Sequence, residues 1–571
     1  MNEEKDQKSI QLRVLLAFAL SAGVLFVYQY FMVKPAPPRP PASAKTTAEP
    51  PPLPAAPAKN PPKPSAAPAA AARAEAAAGE QILEMDTGAY QLKLSNRGAV
   101  VTSWTLKRYK NESGGPLELV NVAALKEAGY PLSIVAGEKT PAAEVNQALF
   151  AVETTPRASS GKLTAPVTLD FRWSNGSVRA RKTLRFARDS YLVEIESELS
   201  HNGAAVPHRL AWRGGFGDAA VADAATKVTT FYYDTAQNKV VRLDNDAAEK
   251  GPVVNAGNYL YAGVEDVYFA AAFSPAGGAA SLELETSRVE TAEAAGEKKQ
   301  FLNGASVGGS GENKLRAYVG PKSLKDLRAA GSRLDQVVDF GFFSFIAYPL
   351  FLMLSWTNQW VNYGWAVVVV TIAINFILFP LKLKSMKSMK KMQKLQPLIK
   401  HINDKYKSLP MRDPKRQEQN KEVMELYSKH GVNPMGGCLP LVLQMPFFFA
   451  FYTVLTVSIE MRQAGWLWVS DLSSPEHIPI RVLPIAMIAT QFWYQKMTPT
   501  TAGDPAQQKM MQFMPLIMGF FFYSLSSGLV LYWLTGNLVS IAQQWFINRL
   551  PEPAMEAEKT RKGKAPKKAG Q

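Results

Sequence analysis

Four uncharged polar side chains interrupt stretches that are otherwise apolar: Thr371 and Asn375 within 365–381, Gln444 within 439–457, and Asn537 within 529–547. Polar groups in such surroundings are costly unless they find hydrogen-bond partners. Thr371 and Asn375 stand four residues apart, which places them on one face of a helix. The chemistry open to these groups is binding and hydration, not bond making. They can link neighbouring helices, or they can line a shared polar groove that hydrates the hydrophilic flank of a passenger segment. Lys382 follows Asn375 by seven residues, on nearly the same helix face and about 10 Å along the axis. Its long stem allows two roles, snorkelling into water or lending a partial charge to that groove.

A second candidate surface lies just beyond. Residues 382–430 hold 14 Lys or Arg against 5 Asp or Glu. Within them Met386, Met389, Met392 and Leu395 recur every three residues, followed by Ile399 and Ile402, and Lys390, Lys391 and Lys394 flank the stripe. Such a stripe packs inside a helical hairpin, or offers a soft apolar surface edged by cations to incoming hydrophobic segments or to a ribosome. A break at Leu409-Pro410, with Asp413 as N-cap and Pro414 in the first turn, divides the stretch into two expected helices.

Other chemistries are poorly supplied. The single cysteine, Cys438, excludes a disulfide framework and a multi-cysteine metal site. His201, His208, His401, His430 and His477 show no ligand spacing, so no metal or other cofactor is expected. The net charge of +16 invites a nucleic-acid reading. The basic residues, however, cluster beside apolar spans, where they set topology and meet anionic lipids, so no DNA is expected as a partner.

The elements that hold these residues follow from hydropathy. Val14–Val33 is nearly all apolar, about 20 residues or roughly 30 Å of helix, and matches a bilayer core. Lys5, Lys8 and Arg13 place its N-terminal side in the cytoplasm. Pro and Ala from 35 to 79 are expected to form an extended tether. From about 82 to 320, period-two alternation, as in Tyr90–Leu94 and in Tyr191, Val193 and Ile195 against Glu194, Glu196 and Glu198, predicts antiparallel strands in a β-sandwich. The aromatic-rich segment 340–356 is expected to lie in the outer interface, because a crossing there would put the lysine-rich stretch outside. Further spans are expected at 365–381, 439–457, 482–494, 513–525 and 529–547, and six spans return the C-terminus to the cytoplasm. The organisation is thus an anchor (1–34), a tether (35–79), a β-domain (80–325), a linker with an interfacial helix (326–363), a second span (364–383), a helical hairpin (384–432), four more spans (433–549) and a basic tail (550–571).

The membrane region from about 339 to 549 resembles the YidC/Oxa/Alb insertases. The strings that carry the resemblance are Asn433-Pro434-Met435-Gly436-Gly437-Cys438-Leu439-Pro440, Gln444-Met445-Pro446, Gln495-Lys496-Met497-Thr498-Pro499-Thr500, Asp504-Pro505 with Gln508-Lys509, Met514-Pro515, and Ser527 to Trp533. The resemblance implies a multi-domain inner-membrane protein: an all-α bundle of six spans, five forming the core, with a periplasmic β super-sandwich similar to sugar mutarotases. It implies an insertase and chaperone, not an enzyme, that inserts client membrane proteins through a hydrophilic groove, alone or beside the Sec translocon. By position, Gln444 and Thr371 would line the groove, and Met445, Phe448, Tyr532 and Trp533 would form an apolar slide for the client helix. One departure stands out: where the bacterial family carries a groove arginine, five residues before Pro380-Leu381, this chain has Asn375.

Two rival classes are weaker. A mutarotase-like β-domain suggests sugar binding or epimerisation, which needs a positioned acid and base, and the domain offers only His201 and His208. A transporter would display ionisable residues within its spans, and these spans show essentially none.

Overall fold

The computed structural model describes residues 74–551 except 112–113, 122–124, 138–139, 158–161, 219–227, 244–247, 250, 291–300, 408, 410–412, 414, 433–438 and 499–504. The expected anchor Val14–Val33, most of the tether, the Asn433–Cys438 string and the basic tail past 551 lie outside the described residues. The chain divides into two units, residues 1–68 with 502–514 and residues 69–501 with 515–571. Both sheets belong to the second, as do the helices, save for the opening turns of Pro505–Phe522.

Alternating side chains make the strands. In Tyr90–Ser95 every other residue is buried, and Leu192–His201 alternates likewise, because a pleated strand sends successive side chains to opposite faces. Among the described residues the smaller sheet has five strands, in the order Pro116–Glu118, Val100–Lys110, Tyr90–Ser95, Ile82–Asp86 and Lys162–Thr164, the last pairing parallel. The larger has 14 strands, antiparallel throughout, with Phe269–Pro275, Glu312–Pro321, Leu192–His201 and Val178–Phe186 adjacent at its centre. The two sheets share one apolar core: Tyr90 stacks on Trp104 at 4.6 Å, and Trp104 meets Trp212 of the larger sheet at 5.9 Å. Lys182, fully buried, crosses the same core and donates from Nζ to the carbonyls of Gly98 (2.8 Å), Ala99 (3.1 Å) and Leu132 (2.7 Å).

Helices follow: α1 (Leu324–Ala330), α2 (Ser344–Thr357), α3 (Tyr363–Lys394), α4 (Gln396–Lys405), α5 (Lys415–Lys429), α6 (Leu439–Val457), α7 (Val482–Met497), α8 (Pro505–Phe522) and α9 (Ser527–Arg549). Asn362 caps α3 by accepting from the Trp365 N–H at 3.1 Å. Gly364 sits where an added Cβ would meet the Trp466 side chain at 2.2 Å, so only glycine lets α3 approach that ring. Among the described residues α3 is the one helix long and apolar enough to cross a membrane; Ser344–Thr357, Leu443–Val457 and Phe513–Phe522 are shorter apolar helices. α9 packs along α7 and α3, while α6 leans on α2.

The hairpin differs from its expected form. The methionine stripe was expected to run unbroken through Ile402, but α3 carries it only to Lys394, and the chain restarts after Leu395 with Pro397 in the first turn of α4. Proline lacks an N–H and clashes with the preceding turn, so it is tolerated at a helix start and not in the interior. Asp413 does accept from the Lys415 N–H at 2.9 Å, as a cap would.

The short stretch after α6 ties the helices to the sheets. Arg462 forms an ion pair with Asp218, and both side chains are about 95% buried. Its guanidinium also lies 5.3 Å from the rings of Tyr268 and Phe269. Gln463 donates to the Lys110 carbonyl at 2.7 Å and accepts from the Lys110 N–H at 3.3 Å, continuing the edge of strand Val100–Lys110 as a further strand would. Glu460 bonds Ser323 and the Leu324 N–H at the start of α1, and burial pushes its carboxyl up to about 7.

Candidate functional site

α3, α7 and α9 carry most of the polar groups that apolar helices would otherwise leave unpartnered. Lys382 is half-buried, and it does not snorkel: its Nζ donates to Ser540 Oγ at 2.7 Å and Gln543 Oε1 at 3.1 Å on α9, and lies 5.4 Å from the Tyr494 ring of α7. Gln543 turns its amide nitrogen to the Asn375 carbonyl at 3.1 Å, so one side chain joins Asn375 to Lys382. Among the described residues no carboxylate pairs with that ammonium; its acceptors there are the neutral oxygens of Ser540 and Gln543, in an apolar setting.

The other expected groove residues fall in different places. Asn537 is buried and donates to the Met487 carbonyl and to Thr490 Oγ1, both at 3.3 Å, so here it links α9 to α7. Gln444 bonds the Tyr532 hydroxyl. Asn375 donates to the Thr371 carbonyl at 2.9 Å. Thr371 departs from its expected role: it is fully buried and its hydroxyl donates to the Val367 carbonyl at 2.6 Å, so it supports Asn375 from behind and lines no groove in this conformation. A threonine hydroxyl on a helix can always turn back to the carbonyl four residues earlier, and in a dry packing it does.

The apolar residues named for the slide gather on one another. Phe448 meets Trp533 at 5.4 Å and Phe522 at 6.2 Å, Phe451 stacks on Tyr532 at 4.0 Å, and Trp533 Nε1 donates to Gln491 Oε1 at 3.3 Å. Met445 is half-buried on α6.

On the hairpin side the stripe had two readings, packing or a surface offered to clients, and Met386 and Met389 are packed: they are buried against Ile547 of α9, with Phe379 and Leu383 beside them. Lys390 spends its ammonium on the Ile547 carbonyl at 2.7 Å, closing the C-terminal turn of α9. The period-three stripe is therefore a packing seam, while Lys391 is half-exposed and Lys394 exposed.

Sequence reasoning missed Ser540, Gln543, Thr490, Gln491 and Tyr494. A signal was there: Asn537, Ser540 and Gln544 recur at three and four residues along α9, a polar stripe inside an apolar helix. In the β-domain, His208 is buried between Ser197 Oγ (2.8 Å) and Asn313 Nδ2 (3.1 Å), and burial pushes its imidazole down to about 4, while His201 is exposed. The two do not form an acid–base pair.

Comparison with known proteins matches residues 354–554 to the 60Kd inner membrane protein family and residues 83–353 to the YidC periplasmic domain family. The membrane protein insertase YidC of Wolinella succinogenes is 47% identical over 246 residues, 43% of this chain and 44% of that protein. The chain thus aligns with less than half the length of such relatives. Its counterpart from Pelobacter propionicus is 33% identical over 556 residues, 94% of this chain and 99% of the relative. A solved structure of an active YidC insertase with its first transmembrane domain resolved is 17% identical, with a TM-score of 0.34, covering 82% of this chain and 93% of that one.

Proposed function

The chain belongs to the YidC family of membrane protein insertases, and from that premise we propose that it receives hydrophobic client segments from the cytoplasm and releases them into the bilayer through a polar groove walled by α3, α6, α7 and α9. The observation that carries this reading is the Lys382 cluster: an ammonium held by Ser540 and Gln543 and joined through Gln543 to Asn375, without a carboxylate partner among the described residues. A client's acidic or otherwise polar flank entering beside α3 would find charge and hydrogen-bonding groups there in place of hydrocarbon, and each backbone group so satisfied avoids a cost of a few kcal/mol. The fixed charge that the family places at position 375 is supplied from one and a half to two turns further along α3. Phe448, Tyr532, Trp533 and Met445 then offer an apolar surface along which the client's own helix leaves, and Gln444 tethers Tyr532 beside it.

Six spans, cytoplasmic termini and a periplasmic β-domain complete the proposal. Short helices such as α7 suit a locally thinned bilayer. Client membrane proteins are the partners, and cooperation with the Sec translocon enters the proposal through family membership; contact of the ribosome with Lys391, Lys394 and the basic tail and binding of anionic lipids follow from the charge asymmetry.

The test is reconstitution of the purified full chain in liposomes with a small single-span client. Protease protection of the client should appear without nucleotide or Sec components, and no gain over empty liposomes would defeat the reading. Lys382→Met should then slow insertion of acidic-tailed clients more than neutral-tailed ones; equal slowing would remove the charge from the mechanism.

A further inference from the structure

The Arg462 junction encloses a cavity of about 1150 Å³. Its walls come from both sides: Tyr452, Thr456 and Val457 from the last turns of α6, Arg108 and Lys110 from the end of strand Val100–Lys110, and the loop 470–477. The charged groups at its floor are already engaged. Arg462 is paired with Asp218, and Asp266 accepts from the N–H groups of Tyr268 (2.8 Å) and Phe269 (2.5 Å). Asp471 accepts from the backbone and hydroxyl of Ser473, both at 2.8 Å. At the rim the balance changes: Arg108 and Lys110 are exposed and neither has an ion-pair partner among the described residues.

We propose that this cavity receives the translocated segment of a client as an extended, acidic polypeptide. The inference rests on the insertase reading and on an outward-facing β-domain. Three observations carry it. First, position: Thr456 lies twelve residues beyond Gln444 on the same helix, about 18 Å along its axis, so the cavity opens where a segment that has passed the groove emerges. Second, sign: segments that membrane proteins leave outside are depleted of Lys and Arg, so the charges they bring are mostly carboxylates, and the unpaired cations at the rim complement them. Third, the neutral lining: Gln463, Ser470, Ser473 and Ser474 supply both donors and acceptors, which a peptide backbone needs and a lipid phosphate does not.

The test uses the full chain in liposomes with two single-span clients that differ only in whether the translocated tail is acidic or neutral. Arg108→Glu combined with Lys110→Glu should lower protease protection of the acidic tail about fivefold, the combined scale of two exposed charge pairs, and leave the neutral tail unchanged. Arg108→Lys with Lys110→Arg should keep the wild-type level. A photoreactive residue in place of His477 should form an adduct with the acidic tail. Equal loss for both tails, no loss for either, or adducts with lipid alone would overturn the proposal. If the wild-type chain inserts neither client, the insertase reading falls and takes this inference with it; normal insertion by wild type with an unaffected charge-reversal variant sinks the cavity alone.

Discussion

Lys182 and Lys382 are both lysines held out of water, and they differ in what receives the ammonium. Lys182 gives three hydrogen bonds to backbone carbonyls on segments that neighbour the smaller sheet, so it fastens one sheet to the other. Burial pushes its ammonium down to about 7. Lys182→Met keeps the volume but orphans three carbonyls, and at about 1 kcal/mol or more for each the β-domain should lose at least about 3 kcal/mol, read from the urea midpoint of its circular dichroism. The pH dependence has a definite sign. Between pH 7 and the ordinary lysine range the unfolded chain binds the proton and the folded one does not, so wild-type stability should rise across that interval. The Met variant should lack the rise. Lys382, by contrast, donates among the described residues to side-chain oxygens, which can rotate away when a client carboxylate arrives. The same residue type is a rivet in one place and an offered charge in the other because fixed carbonyls cannot be displaced and rotatable side chains can.

At the scale of elements, the stretch Glu460–Gln463 matters more than its length suggests, since Glu460, Arg462 and Gln463 reach four separate segments of the β-domain and linker, at 323–324, 218, 268–269 and 110. Glu460 is pushed up to about 7 and Asp266 up to about 6, in both cases chiefly by burial. A carboxyl raised in the folded state binds a proton that the unfolded chain releases, so the contribution of each to stability is present below its ordinary carboxylate range and declines as pH rises through the interval up to 6 or 7. Hydrogen-exchange protection factors at Leu324–Ala330, corrected for the intrinsic rate at each pH, should therefore be higher at pH 5 than at pH 7.5, and Glu460→Gln should flatten the upper part of that dependence. An unchanged profile in the variant would mean that Glu460 does not cap α1 in solution. The hairpin teaches the same lesson about context. Its methionines were legible as a stripe, but a stripe says only that one face is covered; that α9 covers Met386 and Met389, with Lys390 closing its last turn, while α5 covers Met392, is a long-range fact.

For the whole molecule, one buried ion pair stands between the β-domain and the helices. Removing one partner of such a pair leaves the other charged and dry, which costs about 3–5 kcal/mol. Arg462→Ala should therefore loosen the junction without unfolding either side: exchange should rise together at 108–111 and 459–463 while the core strands around Lys182 stay protected. Protection lost throughout the β-domain would show instead that the domain folds only against the helices. A hinge at this point would let the cavity wall move with α6, the helix that also carries Gln444.

Much of this was legible from the sequence alone because hydropathy period and composition are local properties: Tyr90–Leu94 alternates whatever it packs on, and 365–381 is apolar whatever surrounds it. The polar residues Asn375, Gln444 and Asn537 were visible for the same reason, since an amide in an apolar run is conspicuous without a fold. Their partners were not. Whether Lys382 reached water or Ser540, whether Thr371 faced a groove or its own helix, and that Arg462 meets Asp218 across 244 positions of chain depend on which helices and strands become neighbours. Tertiary packing alone decides that, because hydrogen bonds of side chains extend only about 3 Å and the sequence does not state which ends come within that reach.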